Sequence, residues 1–339
     1  MSPATTAQAA VTFSKDRNFE REAVVDEREL LRDALRRSMG EATFAEVRTT
    51  FDRRANSGGF IEVEKKAGPP SRMFTTQEMI DYERDTIQVM RDGQNIHSAI
   101  ASADTRSEVE IGHPHLSESQ RRAVQQILAS RDQVTALEGV AGSGKTTSLA
   151  AVREAAEREG YKVEGFAPTS RATQKLSEAG IESSTLQRHL ARTDKENDGQ
   201  KRLYVLDESS LASTKQMNEF LHQLREHDRV LLVGDARQHQ AVEAGTPYQQ
   251  LQEAGVQNAR LDEIVRQRDP ALKEVVEQLS RGQVREAIQN LDSQGRVHEI
   301  VDRNERLREI AKEYAKHPQG TLVVSPDNQS RMEINQIIH

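Results

Sequence analysis

The stretch "ALEGVAGSGKTTSLAAV", residues 136–152, sets three glycines, a lysine and two threonines between an apolar run and a run of helix formers. Gly139-x-x-x-x-Gly144-Lys145-Thr146 fits the phosphate-cradling loop in full. Glycines let successive main-chain N–H groups turn inward around phosphate oxygens, and the N-terminus of the following helix adds partial positive charge at the same point. Lys145 is expected to reach the β- and γ-phosphates, and the Thr146 hydroxyl to ligate Mg²⁺. Gly139, Gly142, Ser143, Gly144 and Thr147 complete the expected cradle. A glycine-rich turn with a solvent-facing lysine is the plain alternative, and the strand-then-helix context speaks against it.

Two further apolar runs end in polar residues suited to the same chemistry. "RLYVLDESS" puts Asp207-Glu208 at a strand end, where Asp207 can hold Mg²⁺ and Glu208 can orient and deprotonate an attacking water. An acidic pair at a helix start is the ordinary alternative. "RVLLVGDARQHQ" carries Gly234-Asp235-x-x-Gln238, which would set the Gln238 amide near a γ-phosphate. Read alone, that segment is a β-turn and a polar loop. His113 and His115 form an H-x-H without a third ligand close in sequence, and are read as linker residues.

These residues need strands to carry them. From about residue 113 the runs "VTALE", "VEGFA", "RLYVLDE" and "RVLLVGD" alternate with helical stretches, the pattern of a parallel sheet with helices on both faces. The carboxyl ends of such strands lie together, so the three chemical segments should converge. Upstream, residues 1–18 read as a disordered lead-in. Residues 19–112 read as a mostly helical N-terminal domain, with a helix from "FEREAVVDERELLRDALRRSMG" and a second capped by Thr43 and Glu46. "FIEV" and "RMF" read as a hairpin, and "TTQEMIDYERDTIQVMRDG" as a further helix. A winged-helix-like module and a helical packing appendage both fit that order. The motor-like α/β domain spans 113–265. Residues 266–339, with "GTLVVSP" as an opening strand, read as the start of a second such domain that is cut short.

Composition limits the partners. The 339 residues carry a net charge of −7, so bulk-charge coating of nucleic acid is disfavoured while a local basic cleft remains open. Aromatics are 4% with no tryptophan, which argues against an extended base-stacking platform. No run of 18 apolar residues spans a membrane, so no membrane insertion is expected. The chain has no cysteine, which excludes thiol chemistry and fits a reducing, cytoplasmic setting.

Taken as a set, "GVAGSGKTT", "FAPTSRAT", "STLQRHL", "VLDESS", "LVGDARQHQ" and "EIVRQ" resemble motifs I to IV of superfamily one helicases of the RecD-like branch. "HLSESQRRAV" resembles the Q motif. Segments such as "FTTQEMIDYERD" resemble the helicase part of MobF-type (TraI/TrwC-like) conjugative relaxases. The resemblance runs from about residue 12 to the end.

It implies a RecA-like P-loop NTPase fold and an ATP-dependent helicase moving 5′ to 3′ on single-stranded DNA during plasmid transfer. ATP and Mg²⁺ would be its cofactors, and transfer-machinery proteins such as the relaxosome and coupling protein its partners. By this resemblance Gln120 reads adenine, Gln238 is the motif III sensor and Arg266 contacts the γ-phosphate, where a guanidinium can clamp two oxygens. Pro168, Thr169, Ser170, Arg171, Thr185, Arg188 and His189 fall at its single-stranded DNA contacts. Thr169 and Ser170 also suit a helix cap. The family's motif VI arginine and its nicking domain are not represented here, and Tyr82, Tyr161, Tyr204, Tyr248 and Tyr314 are scattered. The expectation is a chain that binds ATP–Mg²⁺, hydrolyses it poorly by itself and does not nick DNA. A non-hydrolysing module that holds single-stranded DNA or a transfer partner is the alternative; the retained lysine and Asp-Glu pair disfavour it.

Overall fold

The computed structural model describes residues 3–64, 71–140, 142–192, 199–235, 247–262 and 269–338. The chain divides into two compact units, Met1–Arg266 and Gln267–His339.

The first unit opens with α1 (Pro3–Phe19), β1 (Val25–Asp26), α2 (Glu27–Arg37), α3 (Phe44–Asn56), β2 (Ile61–Val63) and β3 (Met73–Thr75). Residues 3–18 are therefore helix, where the sequence suggested disorder. Ala7, Ala10 and Val11 recur at helical spacing and are fully buried against Leu30, Val47 and Phe51. Small side chains give a weak apolar signal, yet they let α1 approach its neighbours closely. At α3 the sequence reading holds in detail. The Thr43 hydroxyl accepts from Glu46 N–H at 3.3 Å, while the Glu46 carboxylate accepts from Thr43 N–H at 2.8 Å. The hairpin of β2 and β3 is antiparallel, and β1 joins on the far side of β3. Phe51 stacks on Phe60 at 4.9 Å and meets Phe74 edge-on at 5.3 Å, closing this small core.

Next come α4 (Gln77–Asp92), α5 (Ala103–Gly112) and α6 (Glu118–Ala129). The expected division at residue 112 does not follow the packing, because α4 and α5 lie on the sheet that follows. Met90 of α4 joins the core on one face of that sheet and Val109 of α5 the core on the other. Alternating elements complete the unit: β4 (Val134–Gly139), α7 (Lys145–Arg158), β5 (Lys162–Ala167), α8 (Ser170–Glu178), β6 (Glu182–Thr185), α9 (Leu186–Leu190), β7 (Arg202–Leu206), α10 (Thr214–His222), β8 (Arg229–Gly234), α11 (Pro247–Glu253) and β9 (Gln257–Leu261). The six strands form one parallel sheet in the order β6-β5-β7-β8-β4-β9.

Strands buried on both faces need unbroken apolar runs, and β7 and β8 are buried at every position. Successive residues serve opposite cores. Leu137, Val205, Leu231 and Val233 pack under α6, α7 and α8, while Ala136, Tyr204, Leu206 and Leu232 pack under α4, α10 and α11.

The described residues of the second unit form α12 (Pro270–Ser280), α13 (Val284–Ser293), α14 (Arg303–Lys316) and α15 (Asn328–Ile338). "GTLVVSP" is not a strand among them. Leu322 and Val324 are 85% and 82% exposed, since no described segment of this unit offers them a ladder partner.

The aromatic core predicts an asymmetry along α3. Phe51→Ala should cost about 3–5 kcal/mol of unfolding free energy, whereas Phe44→Ala, at a residue 58% exposed, should stay within about 0.5 kcal/mol. Denaturant titration of the two variants checks this; equal midpoints would contradict it.

Candidate nucleotide site and nucleic-acid edge

Because all six strands run the same way, their carboxyl ends share one edge. Across that edge stand Thr185 at the end of β6, Pro168 and Thr169 after β5, Asp207 and Glu208 after β7, Asp235 after β8, the glycine loop after β4 and Asp262 after β9.

The loop's glycines have steric reasons. Gly144 caps α7 with φ +83°, a conformation that costs side-chain-bearing residues roughly 1 kcal/mol or more. A Cβ on Gly139 would come within 2.5 Å of Ser143 Oγ and 3.1 Å of Leu261. Ser143 is itself buried, its Oγ without a hydrogen-bond partner among the described residues, and its N–H bonds Val140 O at 3.2 Å. The loop is thus wound tightly on itself ahead of the first turn of α7.

Lys145 opens that turn. Its ammonium donates to the carbonyls of Gly139 and Val140, the latter at 3.4 Å. Burial pushes its pKa down, and the nearby Asp207 and Asp235 carboxylates push it back up. Asp207 is 8% exposed. Burial pushes its pKa up, opposed by a hydrogen bond from Glu208 N–H at 2.9 Å and by the charges of Lys145 and Lys175. The charges of Lys145 and Asp207 thus act on each other at this edge of the sheet. Glu208 sits in the left-handed region with φ +50°, and its carboxylate meets Lys175 of α8 at 3.0 Å.

Ser209, fully buried, donates to Val233 O at 2.9 Å and ties the Asp-Glu turn to β8. Neither Lys175 nor Ser209 was singled out in sequence. Lys175 and Glu208 lie 33 residues apart, so only the fold brings them together.

Gln120 is buried beside the loop. Its amide donates to Gly144 O at 3.1 Å and its carbonyl accepts from Ser117 N–H at 2.8 Å. Both ends are spent within the chain, making Gln120 a brace for the loop; reading adenine requires exchanging these bonds. Gln238 and Arg266 lie outside the described residues.

At the other end of the edge, Ser170, Arg171 and Arg188 are exposed. The hydroxyls of Thr169 and Thr185 cap α8 and α9, accepting from Ala172 N–H at 3.2 Å and Arg188 N–H at 3.3 Å. His189 departs from its expected DNA-contact role. It is 5% exposed and packs on Phe166 at 4.1 Å, with Tyr204 and Phe220 around it. Its place on the short α9 turns the ring into the core. His113 pairs with Glu154 at 2.8 Å, holding that carboxylate below its usual range.

The oxygen donors suit a magnesium ion, which takes one or two carboxylates or hydroxyls and completes its shell with phosphate and water. Asp207 and Thr146 are such donors. No cluster of three or more His, Asp or Glu suited to a metal exists among the described residues, and a site completed by phosphate oxygens does not need one.

Sheet order, glycine loop and the facing Lys145 and Asp207 define a RecA-like P-loop domain. The family described as "AAA domain" matches residues 115–302, and the chain belongs to it. It is similar to the conjugal transfer protein TraA of Agrobacterium fabrum, 36% identical over 189 residues, which are 55% of this chain and 17% of that protein. It is also similar to the multifunctional conjugation protein TraI of Escherichia coli K12, at 28% over 262 residues, 74% of this chain and 15% of that one. The ATP-dependent RecD2 DNA helicase of Deinococcus radiodurans matches at 33% over 159 residues, 45% of this chain and 22% of that protein. The chain thus spans about a fifth or less of the length of these relatives, which bear out the RecD-like, conjugative resemblance of its motifs. Among the described residues no helix is long and apolar enough to cross a membrane.

The electrostatics of Asp207 predict a trade between stability and function. Its folded pKa lies above the unfolded one, so the fold favours the protonated form. The charged form then costs stability above about pH 4, and that cost fades as pH falls below the unfolded pKa. Asp207→Asn should therefore melt at a higher temperature than wild type at pH 7, with the gain shrinking toward pH 4. Thermal denaturation at both pH values tests this, and a lower midpoint at pH 7 would refute it.

Proposed function

We propose that this chain is the ATP-binding motor portion of a DNA helicase that translocates 5′ to 3′ on single-stranded DNA during conjugative plasmid transfer, in the cytoplasm. The observation that carries the reading is the placing of Lys145, Asp207 and Glu208 at the same end of the sheet, in line with an edge of hydroxyls and exposed arginines.

In this reading Lys145 exchanges its bonds to Gly139 and Val140 for the β- and γ-phosphates of ATP. The N–H groups of Gly142 to Thr147 surround the phosphates at the start of α7. Thr146 and Asp207 would hold Mg²⁺, which supplies charge neutralisation to the phosphates. Glu208 orients a water and takes its proton, once free of Lys175. Gln238 and Arg266 would sense the γ-phosphate. At the far side of the edge, Pro168 to Arg171, Thr185 and Arg188 hold the phosphates of a single strand without reading its sequence; His189 supports them from the core. Relatives named for conjugation and for DNA unwinding support this assignment, and coupling to relaxosome and coupling proteins follows from it.

A module that holds DNA without turnover would have no use for a half-buried ammonium at the same sheet edge as a buried carboxylate, which costs folding energy. Lys145→Ala should weaken ATP binding by roughly 10- to 100-fold, the worth of a charge-assisted bond. Titration with a fluorescent ATP analogue in Mg²⁺ measures it, and unchanged affinity in the variant would reject the reading.

A further inference from the structure

The N-terminal elements carry a surface that the nucleotide chemistry leaves unused. α2 and α3 are joined by residues 38–43, where Gly40 takes φ +82°. The chain order α1-β1-α2-α3-β2-β3, with the sheet order β1-β3-β2, sets two consecutive helices ahead of a β-hairpin, the element order of a winged-helix module. α3 turns Val47 and Phe51 inward. On its opposite face Ala45, Thr49, Arg53 and Asn56 are exposed, at positions i, i+4, i+8 and i+11.

The charges on this face are selectively neutralised. Glu46 is spent in the capping box, and Asp52 pairs with Arg48 at 2.9 Å. Arg53 makes no ion pair with a described residue and is exposed. Between Arg36 and Asn56 the chain carries five arginines against Glu41, Glu46 and Asp52, a local positive balance in a chain of net charge −7. Threonine, arginine and asparagine are the side chains whose hydroxyl, fork and amide match base edges in a major groove about 12 Å wide, which admits a helix. Phe44, exposed at the helix start, suits a thymine methyl.

We propose that α3 is a recognition helix and that this face binds duplex DNA in the major groove, as a site separate from the single-strand edge of the sheet. A single strand is disfavoured because the face lacks the row of aromatic side chains on which successive bases stack. A protein partner is disfavoured because the exposed residues along the rest of the face, Thr49, Arg53 and Asn56, are all polar, and large apolar side chains stand only before and at the helix start, at Met39 and Phe44. The proposal does not depend on the nucleotide reading.

The test is fluorescence anisotropy with the 339-residue chain, a labelled 20-base-pair duplex and a labelled dT20 strand, for wild type and the double variant Arg53→Ala/Asn56→Ala. The double variant should lose at least about tenfold in duplex affinity, with a shallower salt dependence. Its dT20 affinity and melting temperature should stay at the wild-type values. Duplex affinity equal to wild type would overturn the proposal. So would a parallel loss of duplex and dT20 binding at unchanged melting temperature, which would assign the face to single strands.

Discussion

A half-buried ammonium group and a buried carboxylate stand at the same end of one parallel sheet, and the rest of the first unit is organised around that constraint. Burial works against both charges, pushing Lys145 down and Asp207 up. Their mutual attraction offsets only part of the desolvation cost. What keeps the arrangement in place is the sheet itself. β4 and β7 are fixed by continuous apolar packing on both faces, so the residues that leave their ends have little freedom to separate. The stability cost sits at the mouth of the sheet and is met by the layers behind it.

Around this pair the chain spends its hydrogen bonds on the loop. Gln120 braces Gly144, Ser209 anchors the acidic turn to β8, and the Tyr248 hydroxyl donates to Leu137 O at 3.1 Å just before the loop. Each contact ties a different element to a strand end or loop residue at the same edge of the sheet. The loop is therefore preorganised by the fold. Glu208 is the exception, held by a half-exposed lysine in a strained backbone conformation. An exposed ion pair of that kind contributes little, so it can be exchanged readily when charge arrives nearby.

Much of this was legible in the sequence, and the reasons are specific. The glycine loop is local: its steric demands fall on residues within eight positions of each other. β7 and β8 announce themselves because burial on both faces forbids polar alternation. The Thr43–Glu46 cap is likewise a short-range device. What the sequence concealed is either weakly apolar or long-range. α1 packs through alanines, which look like the composition of a flexible lead-in. α4 and α5 carry ordinary amphipathic patterns, and nothing local says that their partner is the sheet downstream. His189 has the polarity of a surface contact, yet its backbone position aims it at Phe166. "GTLVVSP" has strand propensity without a strand to pair with among the described residues of its unit, and propensity alone does not make a ladder.

Hydrogen–deuterium exchange of the chain with and without ATP and Mg²⁺ addresses the buried pair most directly. Filling the loop should slow exchange of the amides from Gly142 to Ser148 and of Glu208, while the helices of the second unit exchange as before. Exchange in 139–148 and at 207–208 that is indifferent to saturating nucleotide would contradict the account of this site.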